Sequence, residues 1–121
     1  MKLQSRWYSP RLSQDVGVVR WGESGVPVLI YPTAGGDAEE CERFRLIESL
    51  APLLAAARIK VYSCDSIAGR AWEDPSSSGP HRAWLQRRFL EFVVRELVPA
   101  IRLDCRTPDI GIVTAGASLG A

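Results

Sequence analysis

Histidine, cysteine and long apolar runs are all scarce in this chain. His81 is the only histidine among 121 residues, and the three cysteines, Cys41, Cys64 and Cys105, stand far apart. Three thiols cannot all pair, and neither their spacing nor His81 makes a metal-ligand pattern, so no cofactor or metal is expected. Free thiols in a reducing compartment fit best. No stretch reaches the roughly 20 apolar residues that a membrane span needs. The first ten residues, MKLQSRWYSP, lack the apolar run of a signal peptide, which predicts a cytoplasmic protein.

An excess of charge is missing too. Fifteen basic residues face fourteen acidic ones, a formal net charge of +1. Nucleic acid and anionic membranes reward a concentrated basic surface, so neither is an expected partner. Arg82, Arg87, Arg88 and Arg95 cluster, but they interleave with apolar residues at helical spacing and read as a solvated helix face. There is no internal repeat, and the one low-complexity stretch, DPSSSGP at 74–80, reads as a loop. The length suits one domain, 1–121, with a modest core.

What is present is an ordered series of short apolar segments. LQSRWYS and DVGVVRW are two β-rich runs separated by PRLSQ, which predicts an antiparallel pair. In the second run Val16 and Val18 share one parity while Val19 and Trp21 share the other, so neither face is clearly solvent. VPVLIY (26–31), IKVYSC (59–64) and IGIVTA (110–115) are continuous apolar runs, as expected of strands buried on both faces. After the first of these comes the turn PTAGGD, whose Asp37 is placed to cap a helix, with Glu40 three residues on in capping-box position. Phe44, Ile47, Leu50 and Leu54 give an approximate apolar stripe that Pro52 should split into two short helices. A loop is expected from Asp65 to about Pro80. HRAWLQRRFLEFVVRELVPAI (81–101) is the strongest helical pattern, with Trp84, Phe89, Phe92, Val93, Leu97 and Ile101 on one face, and Pro99 should end or kink it. Alternating strands and helices imply an α/β fold with a mostly parallel sheet and right-handed crossovers.

The last strand runs directly into Gly116-Ala117-Ser118-Leu119-Gly120. Gly-x-Ser-x-Gly after a strand is the spacing of a nucleophile elbow, in which a serine sits on a tight strand-to-helix turn and the flanking glycines, Gly116 and Gly120, leave room for it. The motif alone is weak, and a glycine-rich turn with a capping serine is the plain alternative. An oxyanion hole needs two backbone amides, one after the nucleophile and one from the loop after an earlier strand. Leu119 offers the first, and the PTAGGD turn offers the second through Ala34 or Thr33.

In the segments RWYSPRLSQDVGVVRWG, PVLIYPTAGGDAEE, VYSCDSIAGRAW, FLEFVVRELVPAI and GIVTAGASLGA, taken in this order, the chain resembles the N-terminal half of an α/β-hydrolase, within the bacterial esterases related to esterase D and the mycolyltransferases. The resemblance covers nearly all 121 residues. It implies about five strands in the family's order 1-2-4-3-5, with Ser118 as nucleophile and Leu119 and Ala34 as oxyanion donors. It implies a small ester as substrate. YPTAGGD departs from the His-Gly form common among hydrolases. Asp65 and Trp72, in the loop after the fourth strand, border the active-site mouth in such enzymes, and a structural role is the simpler reading for each. The triad acid and histidine follow the nucleophile in chain order. His81 precedes it, so the expectation is that both come from a complementing C-terminal half, on a separate or cleaved chain, and that this chain alone is inactive. A catalytically inactive binding or scaffold module of the same fold, or an acyltransferase, are the alternatives.

Overall fold

The computed structural model describes residues 2–116. Its five-stranded sheet has the order β1-β2-β4-β3-β5. β1 (Lys2–Ser9) and β2 (Gln14–Trp21) form the expected antiparallel pair, joined by a four-residue turn. β2 continues antiparallel onto β4 (Ile59–Cys64), while β3 (Val26–Tyr31) is parallel to both β4 and β5 (Val113–Gly116). The chain therefore steps one way across the sheet from β3 to β4, and back past β3 to reach β5. Right-handed connections of opposite direction place their helices on opposite faces.

Three short helices link β3 to β4: α1 (Glu40–Arg43), α2 (Leu46–Ser49) and α3 (Ala51–Ala55). Pro52 falls in the first turn of α3, where its missing N–H costs nothing. Val19, Trp21, Ile30, Cys41 and Val61 form the core under these helices, with Ile47, Leu50 and Leu54 partly buried against it. Phe44 does not join the stripe and is exposed.

The other face is covered by one long helical run. Asp65–Pro80 is not all loop: α4 (Ile67–Glu73) occupies its first half and packs against α5 (Gly79–Phe92). Ser78 caps α5 by accepting a hydrogen bond from the His81 N–H. A π-helical segment (Val93–Leu97) follows and leads into α6 (Val98–Asp104). Pro99 does not end this helix, the first of the two expected effects; the helix continues through it with an altered hydrogen-bond ladder. A proline ring clashes with the carbonyl four residues back, and the π turn opens the ladder there, so that the Val98 N–H bonds the Val93 carbonyl instead. Phe89, Phe92, Val93, Leu97 and Ile101 bury against Val16, Val18, Leu29 and Cys64. Truncating Phe92, which is fully buried, to alanine should cost about 3–5 kcal/mol. Trp84, expected on this face, is instead half exposed.

Glu96, within the π segment, fastens the β1–β2 hairpin to the helix. Its carboxylate accepts from Trp7 Nε1 (3.1 Å), Ser9 Oγ (2.8 Å) and Arg11 Nη1 (3.2 Å). β4, with neighbours on both edges and helices on both faces, is buried from Lys60 to Cys64. β5 differs. It starts three residues later than the apolar pattern suggested, and all four of its residues are exposed.

Candidate active site

The parallel register pairs Tyr31, the last residue of β3, with Gly116, the last of β5. Both strands thus end at the same edge of the sheet. Ala34 lies three residues beyond Tyr31, and Ser118 two beyond Gly116. Ser118, Leu119 and Gly120 fall outside the described residues. Gly116 is placed, exposed, at the mouth-side end of β5.

The turn after β3 is held by one acid. Glu40 is buried, and its carboxylate reaches back seven residues to accept the Thr33 N–H at 2.8 Å and the Thr33 hydroxyl. The capping box expected with Asp37 does not form. Asp37 instead accepts from the Glu39 N–H at 2.9 Å and pairs with Arg43 at 2.9 Å. Within the turn the Gly36 N–H bonds the Thr33 carbonyl at 2.9 Å. The consequence is a division of labour between the two candidate oxyanion donors. The Thr33 amide is occupied, whereas among the described residues no acceptor takes the amide of Ala34. An unclaimed N–H on a half-buried turn is what an oxyanion site requires.

α4 supports this turn from beside it. A Cβ on Gly69 would lie 2.4 Å from the Ala34 carbonyl oxygen, so only glycine lets the helix approach so closely. One turn further along, the Glu73 carboxylate lies against Gly35, where an added Cβ would meet it at 2.5 Å. Neither contact is legible in the sequence, where Asp65–Pro80 reads as a loop.

Asp65 is a structural tie. It is 7% exposed, and its carboxylate accepts from the Gly17 N–H at 2.9 Å and the Ala38 N–H at 3.0 Å. Its own N–H bonds the Gly17 carbonyl at 3.1 Å, and the neighbouring Ser66 N–H bonds the Gly36 carbonyl at 3.3 Å. β2, the end of β4 and the turn after β3 are thereby joined around one side chain. Trp72 is exposed, with the Arg82 guanidinium stacked 5.4 Å from its ring centre. His81 is exposed at the start of α5, its ring 6.1 Å from that of Trp84, and makes no side-chain hydrogen bond among the described residues.

Two of the three thiols, those of Cys41 and Cys64, are unsuited to nucleophilic chemistry. Burial pushes Cys41 up to about 11 and Cys64 up to about 12, so both stay protonated near neutrality. Among the described residues no group of three or more His, Cys, Asp or Glu side chains could hold a metal ion, and no helix is long and apolar enough to cross a membrane.

No protein-family model matches the chain, and no curated protein matches its sequence. Solved structures do match its fold. An IroE-like serine hydrolase from Shewanella oneidensis superposes with a TM-score of 0.64 at 19% identity, over 99% of this chain and 43% of that one. A ferulic acid esterase superposes at 0.70 and 14% identity, over 99% and 50%. The siderophore hydrolase EstB from Aspergillus nidulans does so at 0.61 and 16%, over 98% and 50%. The α/β fold is shared with these proteins, and the chain spans about half the length of each.

Proposed function

We propose that the chain supplies the nucleophile and oxyanion hole of a serine ester hydrolase. The observation that carries this reading is the Ala34 amide, without an acceptor among the described residues and presented by a braced turn at the strand end next to the one that leads into Gly-Ala-Ser-Leu-Gly. Ser118 Oγ attacks the ester carbonyl carbon. The oxygen that becomes negative is held by the amides of Leu119 and Ala34, the alcohol leaves with a proton, and water then releases the acyl group from Ser118. The structure of Thr33 supports Ala34 over its neighbour as second donor, since the Thr33 amide is already bound to Glu40.

A serine hydroxyl needs a general base, and no described histidine is hydrogen-bonded toward this end of the sheet. The acid and histidine of the triad come from further polypeptide, a complementing C-terminal half that continues the sheet beyond β5. Two findings support this: β5 exposes every residue at an open parallel edge, and the fold neighbours are about twice as long. Open apolar edges are normally covered.

The test is ester turnover. The purified 121-residue chain should hydrolyse p-nitrophenyl acetate no faster than its Ser118→Ala variant, and addition of a histidine-bearing C-terminal half should raise the rate by orders of magnitude. Turnover by the chain alone, above the Ser118→Ala control, would overturn the requirement for a second half.

A further inference from the structure

The opposite end of the sheet carries a second site. Lys60 pairs in register with Pro27, near the start of β3, so it stands at the edge away from the Ala34 turn. Arg20 and Tyr62 are directly paired across β2 and β4, and Lys60 shares their face. All three converge on Asp104, the last residue of α6. Arg20 Nη1 lies 3.0 and 3.1 Å from its two oxygens, Lys60 Nζ 3.3 Å and the Tyr62 hydroxyl 2.5 Å from Oδ2.

One carboxylate here serves two cations. Lys60 is 4% exposed, so its charge cannot be left to solvent. The carbonyl end of the helix offsets only about half a charge. The Arg20 Nε, enclosed from solvent, has no hydrogen-bond partner among the described residues, so Asp104 leaves the guanidinium incompletely paired. Arg106, in a left-handed conformation just past the helix end, adds a third cation to the same rim.

Arg20, Tyr62, Asp104 and Arg106 line a groove of about 440 Å³ between the β1–β2 hairpin and α6. Its remaining walls are largely apolar, with Leu3, Trp7, Val18, Leu97 and Ile101. A second hollow of about 490 Å³ shares Arg20, Asp104 and Arg106 and reaches Lys60, with Glu23 on its far side. An open groove with apolar side chains along it and more positive than negative charge beside them suits a molecule with an apolar tail and a single negative head. We propose that this groove binds an apolar-tailed monocarboxylate, its head at Arg20 and Arg106 and its tail along Leu97 and Ile101. The site is independent of the Ser118 chemistry at the other edge of the sheet.

Octanoate is the probe, titrated into the isotope-labelled full chain, with backbone amides followed by NMR. Saturable shifts should appear at 3–7, 18–20 and 97–106. Acetate, which has the head without the tail, and 1-octanol, which has the tail without the head, should each bind about tenfold more weakly or worse. Arg106→Gly removes the charge at a position whose backbone favours glycine, so it should fold and bind octanoate about tenfold more weakly. Absence of saturable shifts in the groove, equal affinity for 1-octanol, or an unchanged Arg106→Gly would each overturn the proposal. So would shifts confined to 33–36, which would place the carboxylate at the oxyanion turn instead.

Discussion

Gly69 and Ala34 touch so closely that no side chain fits between them: a Cβ on Gly69 would sit 2.4 Å from the Ala34 carbonyl oxygen and 2.2 Å from Ser66 Oγ. Ala34, whose amide is the proposed second oxyanion donor, is thus positioned by a helix that passes at contact with its Cα and carbonyl oxygen. Position, rather than mere presence, of such an amide decides its catalytic value.

Gly69→Ala should therefore destabilise the protein by about 1–3 kcal/mol, as overpacking does. Thermal denaturation measures this. Gly79→Ala is the control, since nothing lies within 4 Å of the Cβ it would add. Equal melting temperatures for the two variants would mean that α4 does not brace the turn.

Acid should weaken the cluster around Asp104. Burial alone would raise this carboxyl, but hydrogen bonds from Tyr62, Arg20 and Lys60 outweigh it and hold the group below its ordinary value of 3.8. A depressed folded value means that the unfolded chain takes up the proton first. The contribution is therefore complete above the ordinary carboxylate range and is lost as pH falls through the lower folded value. Asp104→Asn should cost about 1–3 kcal/mol at neutral pH and flatten the decline of stability below about pH 4. Melting curves of both proteins between neutral pH and pH 2 check it, and parallel declines would count against it.

The open edge makes a further expectation. Val28, Leu29 and Ile30 of β3 lie beside Val113, Thr114 and Ala115, but β5 has nothing on its other side among the described residues. The backbone groups of 113–116 that point away from β3 should exchange with solvent quickly in the chain alone and slowly once a complementing half is bound. Hydrogen-exchange mass spectrometry with and without that half makes the comparison. Full protection in a demonstrably monomeric 121-residue chain would favour a self-sufficient small module.

β3 and β4 were legible because each is a compact apolar run with turn residues at its ends, whereas β5 begins three residues into its apolar run. The β1–β2 pairing and the β3 and β4 boundaries agree with the pattern, and the strand order agrees with the one the family resemblance implies. Local contrasts carried no such information about long-range partners. Glu40 reads as a capping residue from its spacing to Asp37, yet it turns to Thr33, where a free amide and hydroxyl offer a stronger claim on a buried carboxylate. Pro99 reads as a stop, yet a π turn absorbs it because Leu97 and Ile101 on either side both bury in the core. α4 was hidden in a glycine- and serine-bearing stretch whose helical character comes from packing against α5 and the Ala34 turn, not from its own periodicity. Trp84 fits the helical stripe by number but is half exposed, while the next residue, Leu85, packs against the core.

The most direct measurement is covalent capture of the nucleophile. With the complementing half present, a fluorophosphonate probe should label this chain at Ser118, identified by peptide mass spectrometry, and Ser118→Ala should abolish the label. Labelling that survives Ser118→Ala, or that maps to another residue, would contradict the assignment of this chain as the nucleophile-bearing part of a serine ester hydrolase.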